Sequence, residues 1–166
     1  MGAFELLLGI AQVGAAFVGF SSIVAIFGRS EGAWSQSDRI RFRNLVELAL
    51  VVAILGFLPS VVFSLEPLTA DTWSVCSGVL GSIVTIDVLL WVRRARILHG
   101  IGSLRFWMAG VGMVTLACAL VLQLLNLSGW VFRQEPGPYI GGLFLLLFLA
   151  GLQFALLVFG RLESPS

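Results

Sequence analysis

The stretch "WSVCSGVLGSIVTIDVLLWVRR", residues 73–94, is predominantly apolar from Trp73 to Val92, carries a single charge there, Asp87, and stops at two arginines. A helix of roughly 20 apolar residues is what crossing the hydrocarbon of a bilayer requires. A helix is also the form that satisfies every backbone N–H and C=O within one segment where no water is available. The arginines mark the end that stays wet.

The rest of the chain repeats this pattern. Apolar runs cover residues 5–27, 44–64, 73–92, 106–129 and 138–160. They are separated by "GRSEGAWSQSDRIRFR", "EPLTADT", "RRARILHGIGSLR" and "VFRQEPGP", which carry the Gly, Pro, Ser and charge signals of loops. Connections this short leave no room for a soluble domain, so residues 1–166 are expected to form a single all-α bundle of five transmembrane helices. Composition agrees: 58% hydrophobic and 11% charged residues, against roughly 45–50% and about 25% in soluble domains.

Orientation follows from the ten basic residues, all of them arginine. Arg29, Arg39, Arg41 and Arg43 lie in the first loop, Arg93, Arg94, Arg96 and Arg105 in the third, and Arg161 in the tail, with Arg133 alone on the opposite side. Short arginine-rich loops stay cytoplasmic, which places the N-terminus outside and the C-terminus in the cytoplasm. The all-arginine basic content points to a bacterial inner membrane and a multi-pass protein there. Trp73, Trp130 and Tyr139 would form an outer interfacial belt, and Trp91 and Trp107 an inner one. The first run lacks a basic segment in front of it and reads as a retained helix rather than a signal peptide.

Helices in lipid associate through small residues and interhelical hydrogen bonds. Ala11, Ala15 and Gly19 place a small residue every four in the first run, and Ser77, Gly81 and Thr85 do so in the third. The fifth run, rich in Leu and Phe, reads as facing lipid over much of its surface. Pro59 lacks the donor of an intrahelical bond and is expected to kink the second helix. The segment "SQSDRIRFRNLVE" carries a Ser35-to-Asp38 capping pattern, so the second helix should begin before its apolar run.

Polar side chains at membrane depth are the candidate functional residues. Asp87 lies about 8 Å inside the third run's cytoplasmic end. It is expected either to pair with an arginine such as Arg43 or Arg105, or to mark an ion path. Glu47 follows Arg43 by one turn, which suits a local ion pair. Gln12, Gln123, Asn126 and Gln153 are amides at depth, expected to bridge helices; Gln123 and Asn126 are three apart and would share one face, lining a vestibule if not bridging. Arg39, Arg41, Arg43, Arg93, Arg94, Arg96 and Arg105 together make a basic inner surface suited to anionic lipid.

Several chemistries are disfavoured. A net charge of +1 gives no basic domain for nucleic acid. The absence of lysine removes amine nucleophiles and Schiff bases. Cys76 and Cys118 fall at different depths in apolar runs and read as small apolar side chains, and His99 has no companions for a metal or haem site. No hydrolase, zincin, P-loop or dinucleotide motif occurs, so neither enzymatic activity nor a cofactor is expected. The reading that remains is a binding or scaffolding subunit of a membrane assembly, as a homo-oligomer or within a larger complex. The alternative is a small oligomeric channel or proton-coupled transporter using Asp87 and Glu47.

Overall fold

A computed structural model of the chain describes residues 2–30, 36–65, 70–97 and 103–162. These residues form five α-helices with no strand among them: α1 (Ala3–Ser30), α2 (Gln36–Leu65), α3 (Ala70–Ile97), α4 (Ser103–Ser128) and α5 (Pro136–Leu162). Each is long and apolar enough to cross a membrane, over Ala3–Ile26, Asp38–Leu65, Thr72–Arg93, Gly110–Ser128 and Pro136–Val158. The architecture is that of a polytopic membrane protein.

Local chemistry explains the helix ends. At the start of α1 the Gly2 N–H donates to the Glu5 carboxylate at 3.1 Å, the reciprocal half of a capping box. α2 starts eight residues before its apolar run, because the arginines of 36–43 are good helix formers and Asp38 sits in the first turn, where the helix dipole favours a negative charge. Ser35 lies outside the described residues. α4 ends at Gly129, whose φ of +66° is open to glycine without strain. α5 opens on Pro136, at the position where a missing N–H costs nothing. The α2 helix remains α-helical through the buried Pro59, with Leu55 as the residue whose carbonyl loses its donor.

The chain divides into two compact units, with boundaries inside α2 and α5. The first comprises residues 1–57 and 146–166. Its core is Leu7, Ile10 and Ala11 of α1, Leu45, Leu48, Ala49 and Val52 of α2, and Leu146, Leu149 and Leu157 of α5. Helices α1 and α2 run antiparallel in close contact. A Cβ on Gly14 would lie 3.0 Å from the Ala49 carbonyl oxygen and the Ala53 nitrogen, and one on Gly56 would lie 2.7 Å from the Ala11 Cβ. Phe17 meets Phe154 with ring centroids 5.8 Å apart, seating α1 on α5.

The second unit comprises residues 58–145. Its core is Cys76, Leu80 and Val84 of α3, Leu116 and Ala119 of α4, and Tyr139 and Leu143 of α5. Helix α3 packs antiparallel on α4. Gly81 lies against Gln123, and Gly112 admits the Trp91 ring, whose nearest carbon would be 2.8 Å from an added Cβ. Hydroxyls on these helices are satisfied locally: Ser82 donates to the Gly78 carbonyl at 2.8 Å, Thr85 to Gly81 at 2.7 Å and Thr115 to Val111 at 2.8 Å. Such back-bonding lets a hydroxyl sit in an apolar helix without exposing a donor.

One reading of the sequence is refined here and another is corrected. The fifth helix carries a continuous buried stripe, Tyr139, Leu143, Leu146, Ala150, Gln153 and Leu157, at the 3.6-residue period of one face. Trp73 and Tyr139 do not flank a belt side by side; both are buried, ring against ring at 6.2 Å, while Trp130 is 93% exposed. Side chains of 103–109, which include Trp107, lie outside the described residues.

Candidate functional site

The densest polar chemistry at membrane depth is a buried amide cluster in the second unit. Gln123 and Asn126 project from one face of α4 and are 1% and 0% exposed, so they line no vestibule. The Asn126 Nδ2 donates to the Ser77 Oγ at 2.8 Å, tying α4 to α3. The same amide donates to the Glu135 carbonyl at 3.2 Å, and its Oδ1 accepts the Glu135 N–H at 3.1 Å. One side chain therefore clamps the residue that immediately precedes α5.

Gln123 continues the clamp one turn earlier. Its Nε2 donates to the Pro138 carbonyl at 2.9 Å, using the second lone pair of an oxygen in the first turn of α5. Gly142 makes this possible, since an added Cβ there would run into the Gln123 Nε2. The Gln123 Oε1 is buried without a hydrogen-bond partner among the described residues. Neutral amides of this kind orient helices. They supply neither a nucleophile nor a proton at ordinary pH.

The other predicted residues are scattered. Ser77 and Gly81 lie in the α3–α4 seam, whereas Thr85 is exposed and bonds its own helix. On α1, Ala11 enters the seam with α2 but Ala15 and Gly19 do not: both are exposed, and nothing lies within 4 Å of a Cβ placed on Gly19. The seam runs through Gly14 instead, because Ala11 and Gly14 lie one turn apart and a ladder of every fourth residue drifts round the helix. Gln12 is exposed on the same side as Ala15 and Gly19, and Gln153 is buried in α5.

Glu47 accepts an ion-paired hydrogen bond from the Arg43 Nε, four residues earlier on α2. Asp87 is half-buried on α3. Arg39, Arg43 and Arg93 are exposed, and Arg41 faces Asp38 at 4.0 Å. The side chains of Arg94, Arg96 and Arg105 lie outside the described residues, as does His99. Among the described residues no three His, Cys, Asp or Glu side chains converge as metal ligands.

Sequence reasoning missed the glycines that matter. Gly14, Gly56, Gly112 and Gly142 each let a neighbour approach to within contact of the backbone, and the adjacent pair "GG" at 141–142 was the one local signal. No known protein family matches the sequence, and neither a curated protein nor a solved structure matches it.

Proposed function

We propose that this chain is a multi-pass subunit of a bacterial inner-membrane assembly, oriented with its N-terminus outside, whose role is to bind and organise partners rather than to catalyse a reaction. The observation that carries the proposal is Gln12. It stands near the middle of the Ala3–Ile26 span, is exposed, and forms no side-chain hydrogen bond among the described residues. An amide left unpaired in hydrocarbon costs several kcal/mol. A second copy of the chain relieves that cost by reciprocal amide hydrogen bonds, and Ala15 and Gly19, one and two turns along the same face, let the backbones approach.

The polar groups elsewhere support this reading. Asn126, Gln123 and Glu47 are engaged with the protein's own atoms, which is how helix-organising residues behave.

The test is the oligomeric state in mild detergent and in nanodiscs. The wild type should be larger than a monomer, and cysteines placed at Gln12 should cross-link two copies. Gln12→Leu and Gly19→Leu should each give a monomer that keeps the wild-type helix content. A wild-type monomer, or the same oligomer in both variants, would overturn the proposal.

The competing reading, an ion path through Asp87, draws on one observation, a carboxylate only half-buried within a span. Flux in reconstituted vesicles that Asp87→Asn abolishes without loss of assembly would replace the first reading with this one.

A further inference from the structure

At the start of α2, Gln36, Arg39, Ile40 and Arg43 fall at i, i+3, i+4 and i+7 and line an open groove of about 380 Å³. Three features make it a receptor for anionic phosphate. Arg39 is exposed and has no ion-pair partner among the described residues, while Arg41 turns to Asp38 on another side of the helix. Arg43, 68% exposed, is held at its Nε by Glu47, and its two terminal nitrogens have no ion-pair partner among the described residues, which leaves them available to oxygen anions. The end of the groove at Gln36 and Arg39 also lies in the first turn of α2, where the helix dipole favours negative charge.

The surroundings select the kind of phosphate. The apolar run of α2 begins at residue 44, immediately after Arg43, which sets the groove at the level where headgroups would meet hydrocarbon. Ile40 supplies an apolar floor between the two guanidinium groups. Continuing along the same helical face by three and four residues, the groove leads to Leu50, Ile54 and Phe57, all exposed. A soluble phosphate has no use for that ridge, whereas a diacyl lipid lays its chains along it.

We infer that this groove binds the phosphodiester headgroup of an anionic glycerophospholipid, with Arg39 and Arg43 on the phosphate and the acyl chains along Leu50, Ile54 and Phe57. The inference needs α2 to cross a bilayer but does not need the chain to assemble through α1, so the two can fail separately.

The experiment measures lipid binding to the purified full chain by native mass spectrometry and by thermal protection, using phosphatidylglycerol, phosphatidylcholine, inorganic phosphate and glycerol phosphate as separate probes. Phosphatidylglycerol should bind and protect, and the other three should do so weakly or not at all. Arg39→Gln and Arg43→Gln should each weaken phosphatidylglycerol about fivefold, the factor that corresponds to about 1 kcal/mol per arginine. Arg41→Gln, which removes the same charge from outside the groove, should change binding less than about twofold. Helix content and melting without lipid should be unchanged in all three, since these arginines support no core contact. Equal losses for Arg39→Gln and Arg41→Gln would show diffuse attraction and overturn the site. Protection by inorganic phosphate equal to that by the lipid would overturn the lipid assignment, as would equal binding of phosphatidylcholine.

Discussion

Asn126 and Glu135 bind each other twice: the asparagine amide accepts the Glu135 N–H at 3.1 Å and donates to the Glu135 carbonyl at 3.2 Å. The pair closes the turn between α4 and α5, and the third bond, to Ser77, fixes that turn to α3. Within this turn Gln134 takes a left-handed φ of +54°, and the neighbouring Asn126 bonds hold the backbone there.

Replacing Asn126 by Leu removes all three bonds and leaves the Glu135 N–H and the Ser77 hydroxyl without their partner. The expected cost is about 1–3 kcal/mol, the penalty of unsatisfied buried polar groups. Ser77→Ala should cost less, about 0.6 kcal/mol, because one interhelical bond is lost while the turn stays clamped. Equilibrium unfolding in mixed micelles reads both values. Equal stability of Asn126→Leu and wild type would show that the clamp contributes nothing.

Gln123 should behave in the opposite way. Its Nε2 makes one good bond, but its Oε1 is buried without a partner among the described residues. Gln123→Met keeps the volume and discards both, losing a bond of about 0.6 kcal/mol while removing an unsatisfied acceptor that costs roughly 1–3 kcal/mol. The variant should therefore be as stable as the wild type or more so in the same unfolding assay. A clear loss of stability would mean that the carbonyl is satisfied in solution, for which a buried water is the natural donor.

The glycines of α1 and α2 give a paired test. A Cβ on Gly56 meets the Ala11 Cβ at 2.7 Å and the Leu7 carbonyl oxygen at 3.1 Å, so one helix must move. Gly56→Ala should destabilise by about 1–3 kcal/mol. Gly9→Ala meets nothing within 4 Å and should be neutral or gain up to about 1 kcal/mol from helix propensity. Thermal melting of the two variants side by side decides whether the α1–α2 seam runs through Gly14 and Gly56.

Glu47→Gln should change stability by no more than about 0.5 kcal/mol, because an exposed i, i+4 pair with Arg43 contributes little. A larger loss in the same melting assay would assign Glu47 a role beyond its own helix.

The sequence made the five helices legible because hydrophobic length is a one-dimensional property: the runs 73–92 and 138–160 lie wholly within α3 and α5, which extend a few residues beyond them at each end. The early start of α2 at Gln36 was legible as well, since the capping pattern ending at Asp38 and the helix propensity of arginine both place it ahead of the apolar run. Helix faces were harder. In lipid an exposed face and a buried face are both apolar, so Ala15 and Gly19 could not be told from Ala11 and Gly14 without the partner helix. For the same reason the Leu-rich α5 concealed its buried stripe. The amides were visible as polar exceptions, but the bond from Asn126 to Ser77 spans 49 residues and has no local signature.

The arrangement of the chain across the bilayer yields the last prediction. Nine of its ten arginines lie in the helix ends that flank the α1–α2 and α3–α4 connections and at the end of α5, and arginine beside short loops is retained in the cytoplasm. In a variant lacking Cys76 and Cys118, single cysteines near Asp71 and Glu135 should react with a membrane-impermeant maleimide added to intact cells. Cysteines near Arg41 and Arg96 should react only after the cells are opened. Because α2 and α4 both connect the two sets of positions, a span that failed to cross would bring one position of each neighbouring pair to the wrong side. Labelling of the Arg41 and Arg96 positions in intact cells, with protection of the other two, would invert the orientation and move the Arg39–Arg43 groove to the outer leaflet.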